Sequence, residues 1–272
     1  MFTNRTPLSE ARSRPQPSAR CLLDLDVDLA EELEPRERRV ARAAATATVI
    51  DIDAGPADMG SWLARSANGA GVLVLDGVLV LSVRVGDRVC AELLGAGDLV
   101  ASPPPGDPLV AAQTRWRALT EVRVAVLDGA FSKRVRFWPQ IMLALAHRAD
   151  RRAQNLDVLR AISAQPRLEV RLALLLWHLA DRWGRVELGG VRLPLPLTHQ
   201  LLGQLIGAER PSVSHALARL SGSELVTGHG DEWHLHGSLD ADSSHASGGH
   251  ARTDHIIAAV SAFRRAPLAA RA

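Results

Sequence analysis

The sequence predicts an α+β chain: an N-terminal antiparallel β-roll, a long central helix and a C-terminal winged helix-turn-helix. Short β-rich runs, broken by Gly, Asp and Pro, fill about residues 46–127. An apolar stripe at helical spacing follows over 138–159, and two short helices about a glycine turn are predicted over 198–220. With 272 residues, 47% of them hydrophobic, the chain has room for about two domains with separate cores.

Composition excludes several classes of protein. A formal net charge of +2 gives the chain no general affinity for polyanions. No run approaches the roughly 20 apolar residues of a membrane span, and the N-terminus lacks the apolar core of a signal peptide, so we expect a cytoplasmic protein. Cys21 and Cys90 are isolated, which argues against a disulfide framework and against an iron–sulfur or zinc site.

Changes in composition divide the chain into segments. Residues 1–20 are rich in Arg, Pro, Ser and Thr, and a low-complexity run begins near Ser238. Pro166 separates the long helix from the C-terminal domain. The predicted segments are a disordered tail (1–20), a β-roll sensor domain with an N-terminal helix (21–131), a dimerisation helix (132–164), a winged helix-turn-helix domain (165–237) and a low-complexity tail (238–272).

Turn signals between apolar runs predict the hairpins of the β-roll. Asp76-Gly77 and Gly86-Asp87 both stand where a tight turn is expected. Several strands of this length within about 80 residues favour a small antiparallel barrel or roll.

The central helix is predicted from near Pro139 to about Ala164. Its apolar stripe alternates spacings of four and three, with Arg152 at one position. The stripe consists of Trp138, Met142, Leu145, Ala149, Leu156 and Leu159. Such a heptad is typical of a helix that packs along a partner helix, but a single amphipathic helix packed on its own domain explains it equally well.

The helix-turn-helix begins at Thr198, a side-chain N-cap, and turns at Gly207, where a positive φ is expected. Gly203 is small where the two helix backbones approach each other, and Arg210-Pro211 opens the second helix. The apolar positions are Leu201, Leu202, Leu205 and Ile206 in the first helix, and Val213, Leu217 and Leu220 in the second. Helical hairpins also serve purely structural roles, so this pattern alone leaves DNA binding open.

Strands predicted around the helix-turn-helix favour DNA binding. A hairpin about Gly189-Gly190 precedes it, and two short strands about His229-Gly230 follow as a wing. Together these elements form a winged helix, whose second helix would enter a major groove. His229, His234 and His236 could form a metal cluster, but alternating strand positions explain them more simply, and we predict no metal site.

The chain resembles the CRP/FNR family of bacterial transcription regulators over about residues 22–236. The resemblance rests on Thr198–Gln200, Gly203, Gln204, Gly207, Arg210 and Val213, which occupy family-typical positions without a gap. It implies a cyclic-nucleotide-binding-like β-roll and a long helix that forms the subunit interface of a homodimer. It also implies sequence-specific binding to double-stranded DNA, transcription regulation and contact with RNA polymerase.

The resemblance also implies roles for individual residues. Arg210 corresponds to an arginine that donates two hydrogen bonds to guanine. Ser212 and Ser214, expected on the exposed side of the same helix, would contact phosphate or a base edge. The implied DNA-binding residues are Thr198, Gln200, Arg210, Ser212, Ser214, His215 and His229. A two-fold dimer would place its recognition helices about 34 Å apart on a near-palindromic site.

Departures from the family pattern predict a different half-site. The family often has Glu directly after the base-contacting arginine and a basic residue four positions later, where this chain has Pro211 and His215. It also favours Gly before the wing, where this chain has Glu224, and we expect Gly222 to move that turn upstream. Residues 164–236 contain seven Arg and seven acidic residues, so we expect few phosphate contacts and low non-specific affinity.

The effector cannot be assigned from the sequence. Cyclic-nucleotide pockets of the family use a Gly-Glu pair and an Arg beside a small residue, whereas this chain has Gly97-Asp98, and Arg115 and Arg117 flank a Trp. We therefore predict no cofactor, and a regulator that retains cyclic-nucleotide binding is the alternative. Iron–sulfur sensing needs more cysteines than this chain has. Haem binding, or catalysis like that of the cupins, would need histidines within residues 46–128, and that segment contains none. We expect no enzymatic activity and no catalytic residue.

Overall fold

A computed structural model describes residues 17–102, 106, 109–229, 231–236, 253–254, 256–258 and 260. The predicted disordered and low-complexity tails lie mostly outside these residues. Within them, residues 18–20 belong to a strand, so the prediction of disorder is wrong there. The described residues of 253–260 are helical, and two of them, Ile256 and Val260, are buried.

The secondary structure follows the predicted order. The helices are α1 (Leu22–Leu25), α2 (Pro35–Ala44), α3 (Met59–Arg65), α4 (Gly129–Val135), α5 (Pro139–Ser163), α6 (Leu168–Trp183), α7 (His199–Ile206) and α8 (Arg210–Gly222), with a 3-10 turn at Val27–Ala30. The strands are β1 (Ser18–Cys21), β2 (Thr46–Ile52), β3 (Gly55–Ala57), β4 (Gly71–Asp76), β5 (Val78–Val85), β6 (Arg88–Gly95), β7 (Leu99–Val100), β8 (Gln113–Ala118), β9 (Val122–Leu127), β10 (Arg185–Glu187), β11 (Gly190–Leu193), β12 (Val226–His229) and β13 (Glu232–His236). The α+β class with N-terminal antiparallel sheets and a C-terminal helix-turn-helix is confirmed.

The chain divides into two compact units. The first comprises Met1–Leu79, Leu94–Pro105 and Trp116–Ala149, and the second comprises Val80–Leu93, Gly106–Arg115 and Asp150–Ala272. The strands form sheets ordered β1-β2-β9-β4-β7, β3-β8-β5-β6 and β10-β11-β13-β12. The five segment boundaries predicted from the sequence remain a prediction.

The core of the first unit lies between the sheet β1-β2-β9-β4-β7 and the helices that precede and follow it. Phe131, Ile141 and Leu145 are completely or almost completely buried in this core. Trp138 and Met142 pack against it as well. The first half of the predicted apolar stripe on α5 is therefore covered by its own chain, as expected for an amphipathic helix packed on its own domain.

Arg152, the charged member of that stripe, has a carboxylate partner. Its Nε and Nη2 donate to the two carboxylate oxygens of Glu92 on β6, at 2.8 and 2.9 Å. Glu92 is buried, so the bidentate pair satisfies a carboxylate that would otherwise lack a counter-charge. This pairing explains why an arginine interrupts the apolar stripe.

One of the two predicted hairpins of the β-roll is wrong. β4 and β5 belong to different sheets, and Gly77 is the residue at which the chain passes from one sheet to the other. Gly77 has a φ of +78°, and a Cβ there would collide with the carbonyl oxygen of Glu121. The hairpin at Gly86-Asp87 is confirmed, because β5 and β6 are neighbours and Gly86 has a φ of +59°.

The turn after α8 is built differently from the prediction. Gly222 is the last helical residue, and Glu224 adopts a left-handed φ of +56°. The Leu225 N–H donates to the Leu220 carbonyl at 3.1 Å, and the Glu224 N–H donates to the Ser221 carbonyl at 3.0 Å. This is the helix-closing pattern in which the left-handed position favours glycine, so the turn is not moved upstream to Gly222.

Glu224→Gly should stabilise the protein. Relief of the left-handed strain should raise the free energy of unfolding by about 1 kcal/mol, measured by chemical denaturation. Ser223, with a φ of −99°, provides the matched control, and Ser223→Gly should bring no gain. A lower stability of Glu224→Gly would contradict this account of the turn.

Candidate nucleic-acid interface

The helix-turn-helix forms as its sequence pattern predicts. The Thr198 hydroxyl accepts a hydrogen bond from the Leu201 N–H at 3.2 Å and starts α7. Gly207 ends α7 in the left-handed conformation, with φ +67°. A Cβ on Gly203 would collide with the carbonyl oxygen of Ala208, whose N–H donates to the Gly203 carbonyl at 2.8 Å. Gly203 therefore permits the turn between the two helices to pack closely against α7.

The second helix, α8, has one buried and one exposed face. Val213, Ala216, Leu217 and Leu220 are buried, whereas Arg210, Ser212 and His215 are exposed. The exposed polar residues lie in the first half of α8, the part of a recognition helix that contacts base edges. This surface, Arg210–Ser212–His215, is the candidate base-contacting surface.

The predicted phosphate contacts lie at the start of α7. Thr198 and Gln200 are both exposed. The cap hydrogen bond uses the Thr198 oxygen as an acceptor, which leaves its hydroxyl proton available for donation. Both side chains can therefore donate to an anion beside α7.

Ser214 does not face solvent as expected. It is half-buried, and its Oγ lies 2.8 Å from Nδ1 of His199 and 3.1 Å from the carbonyl oxygen of Arg210. Ser214 is thus less exposed than predicted, because this part of α8 turns toward α7. Sequence reasoning did not single out His199, because its partner lies fifteen residues away on another helix.

The wing carries polar pairs along its strands. His229 pairs through its backbone with Glu232 at the end of β12, and its side chain lies outside the described part of the structure. His236 Nε2 lies 2.9 Å from Thr227 Oγ1 on the neighbouring strand. In the parts of the chain that the structure describes, no group of three or more His, Cys, Asp or Glu is placed to hold a metal ion.

Charged pairs fix the elements around the interface. Arg192 on β11 binds both Glu187 and Glu232, and hydrogen bonds to these carboxylates raise the pKa of its guanidinium. Arg219 on α8 binds the buried carboxylate of Glu169 on α6 at 2.5 Å. The sequence pattern gave no sign of the pairs Arg192–Glu232 and Arg219–Glu169, because the partners in each lie far apart along the chain.

Glu209, the residue before Arg210, also has a cationic partner. Its Oε1 lies 2.7 Å from Nη1 of Arg88 at the start of β6, and both side chains are largely exposed. The carboxylate next to Arg210 thus has an ion-pair partner other than the Arg210 guanidinium.

Acid should destabilise the protein through His178 on α6. Burial lowers the pKa of His178, with Asp181 opposing and Arg182 adding to the shift. His178 therefore binds a proton more readily in the unfolded chain than in the folded chain. The free energy of unfolding consequently decreases as the pH falls below about 6.5. His178→Gln should flatten the decline in unfolding free energy between pH 7.5 and 5. The exposed His147→Gln is the control, and equal declines in wild type and His178→Gln would contradict the assignment.

Comparison with known proteins identifies the C-terminal domain. Residues 170–236 match the model of the Crp-like helix-turn-helix domain. The C-terminal domain belongs to the Crp-like helix-turn-helix family. The Crp-like domain contains α7, α8 and both strands of the wing, and the resemblance to CRP/FNR regulators is confirmed.

Solved structures share the fold of the chain. The c-di-GMP-responsive global regulator CLP of Xanthomonas campestris is 17% identical, with a TM-score of 0.55 over 74% of this chain and 100% of its own. A CooA mutant from Carboxydothermus hydrogenoformans is 16% identical, with a TM-score of 0.54 over 81% and 92%. A CRP-family transcriptional regulator from Thermus thermophilus is 18% identical, with a TM-score of 0.50 over 69% and 91%. The chain thus shares the fold of these three proteins.

Two further findings are negative. No curated protein matches the sequence. Among the described residues, none of the helices combines the length and the apolar character needed to cross a membrane.

Proposed function

We propose that the protein is a homodimeric, sequence-specific transcription regulator that inserts α8 into the major groove of DNA. The observation that carries this proposal is the exposed surface Arg210–Ser212–His215 on the first half of α8 in a Crp-like domain. The guanidinium fork of Arg210 can donate two hydrogen bonds to O6 and N7 of one guanine. Ser212 and His215 would contact neighbouring base edges or phosphates.

Residues outside α8 would position the domain on the DNA backbone. Thr198 and Gln200 are exposed at the N-terminus of α7, where backbone N–H groups also favour phosphate. His229 at the wing belongs to the same proposal, whereas the hydroxyl of Ser214, on α8 itself, is engaged by His199 and by the Arg210 carbonyl. Because Thr198 and Gln200 are uncharged, their phosphate contacts should add little to the salt dependence of the affinity.

The base sequence of the half-site should be particular to this chain. Pro211 follows Arg210, and a proline side chain cannot accept a hydrogen bond from a cytosine amino group. His215 replaces the basic residue that the family often has there with an imidazole, whose ring nitrogens can donate or accept a hydrogen bond. We therefore expect guanine at the position of Arg210 but looser selection at the next base pairs.

The long helix α5 would form the dimer interface. Leu143 is 56% exposed and Val158 is 45% exposed, and Ala146 and Ala153 between them are exposed as well. A partner helix would remove these apolar and small side chains from water. RNA polymerase would be a further partner in the cytoplasm, and the exposed Val186 on β10 and Leu188 in the turn after it offer it an apolar surface.

We propose that the regulator does not use a cyclic nucleotide. Asp98 stands where the family's pockets have Glu, and it is only 1% exposed. Its Oδ2 accepts a hydrogen bond from the Gly95 N–H at 2.8 Å, so this carboxylate closes a turn of its own chain. A carboxylate in this role does not present itself to a ribose. We propose no other cofactor and no enzymatic activity.

Selection of binding sites from random double-stranded DNA tests the proposed function. The purified full chain should enrich a near-palindrome whose half-sites are about 10 base pairs apart and contain guanine. Sedimentation should show twice the chain mass of 29.2 kDa. Failure to enrich any sequence would refute DNA recognition, and a monomer bound to a single half-site would refute the dimer.

A further inference from the structure

His199 and Ser214 form a hydrogen-bonded connection between the two helices of the Crp-like domain. His199 Nδ1 lies 2.8 Å from Ser214 Oγ, and Ser214 Oγ lies 3.1 Å from the Arg210 carbonyl oxygen. A serine hydroxyl donates one hydrogen bond and accepts others. When the Ser214 hydroxyl donates its proton to the Arg210 carbonyl, Ser214 Oγ can only accept from His199. Nδ1 of His199 must then carry a proton and donate it to Ser214 Oγ.

The N-terminus of α8 lacks two restraints that are common at the start of a helix. Glu209, its N-cap residue, makes no side-chain cap hydrogen bond, and Pro211 has no N–H group. The connection through Ser214 therefore ties the residue that carries the proposed base contact to α7. It acts on the Arg210 carbonyl and leaves the guanidinium exposed.

An aromatic ring of the wing lies beside the His199 ring. Trp233 on β13 is buried, and its ring centroid lies 6.4 Å from that of His199 at an interplanar angle of 45°. The wing, α7 and α8 thus meet at one imidazole. The orientation of that ring determines whether Nδ1 points at Ser214.

We propose that His199 and Ser214 are positioning residues that set the base selectivity of Arg210, an inference that rests on the proposed function. Two hydrogen bonds from one guanidinium to guanine require a fixed backbone at Arg210, because hydrogen bonds weaken steeply with misalignment. Loss of the connection loosens the first turn of α8. Contacts to phosphate from Thr198 and Gln200 do not depend on that turn. Selectivity should therefore fall while general affinity for DNA persists.

The test compares two DNA fragments, the selected site and the same site with the conserved guanine of each half-site replaced. The readout is the dissociation constant for the altered site divided by that for the selected site, measured by fluorescence anisotropy. A larger ratio means greater selectivity. Ser214→Ala should reduce this ratio about fivefold per half-site, the factor that one net hydrogen bond supplies. His199→Phe keeps a ring beside Trp233 but removes Nδ1, and it should reduce the ratio to the same extent.

Two further variants separate positioning from a general structural effect. Ser214→Thr retains the hydroxyl and should retain the ratio. The double variant His199→Phe/Ser214→Ala should lose no more than either single variant, because both remove the same connection. Equal weakening on both fragments, or an unchanged ratio in Ser214→Ala, would overturn the inference.

Arg210→Ala in the same assay distinguishes this inference from the proposed function. If Arg210→Ala brings the ratio to about one and Ser214→Ala leaves it at the wild-type value, only the positioning role is wrong. If Arg210→Ala leaves the ratio intact, base recognition by Arg210 itself is wrong.

Discussion

Arg210→Ala should abolish selective binding to the DNA site while weak binding to unrelated DNA remains. Arg210 is exposed at the first position of α8, and the neighbouring carboxylate of Glu209 is already paired with Arg88. A bidentate contact to guanine discriminates by about 1–3 kcal/mol, and a dimer makes two of them. The expected loss is therefore about 2–6 kcal/mol of discrimination, measured by competition between the selected site and unrelated DNA.

Two variants control for charge in this experiment. Arg210→Lys keeps the positive charge but lacks the guanidinium fork, so it should bind unrelated DNA like the wild type and still fail to discriminate. Arg185→Ala removes an exposed arginine from β10 of the same domain and should leave discrimination intact. Wild-type discrimination in Arg210→Ala would contradict the assignment.

Arg219→Ala should be the most destabilising of the substitutions considered. It leaves the Glu169 carboxylate, whose side chain is 7% exposed, without the cation that lies 2.5 Å away. An unpaired buried charge of this kind costs about 3–5 kcal/mol of folding free energy. Chemical denaturation should show this loss, and Glu169→Gln in the same chain should recover part of it, because the amide carries no charge to leave unpaired.

An exposed ion pair provides the matched comparison. Arg160 and Asp157 on α5 are 83% and 72% exposed, so Arg160→Ala should cost less than about 1 kcal/mol. If Arg219→Ala costs no more than Arg160→Ala, then the pair between α6 and α8 does not fix the recognition helix.

Local patterns predicted the helix-turn-helix well. Thr198, Gly203 and Gly207 each satisfy a requirement that neighbouring residues impose, namely a cap, a close approach and a left-handed turn. The long helix α5 was also predictable from its apolar spacing. Such features depend on interactions within a few residues, which a single sequence displays directly.

Features that depend on distant partners were missed or misassigned. Gly77 looked like a hairpin turn, but the strands before and after it join different sheets. Ser214 lies beside the buried stripe of α8, and its partner His199 stands on another helix, fifteen residues away along the chain. Glu224 breaks the usual preference for glycine at a left-handed position, so the turn signal was sought at Gly222 instead.

Hydroxyl-radical footprinting of the full chain on its selected DNA site tests the central claim, that two copies of α8 bind successive major grooves. If two copies of α8 bind in this way, we expect two protected blocks on one face of the duplex, related by a dyad and about one helical turn apart. Arg210→Ala should lose both blocks together. A single protected block, or protection that persists in Arg210→Ala, would contradict the account.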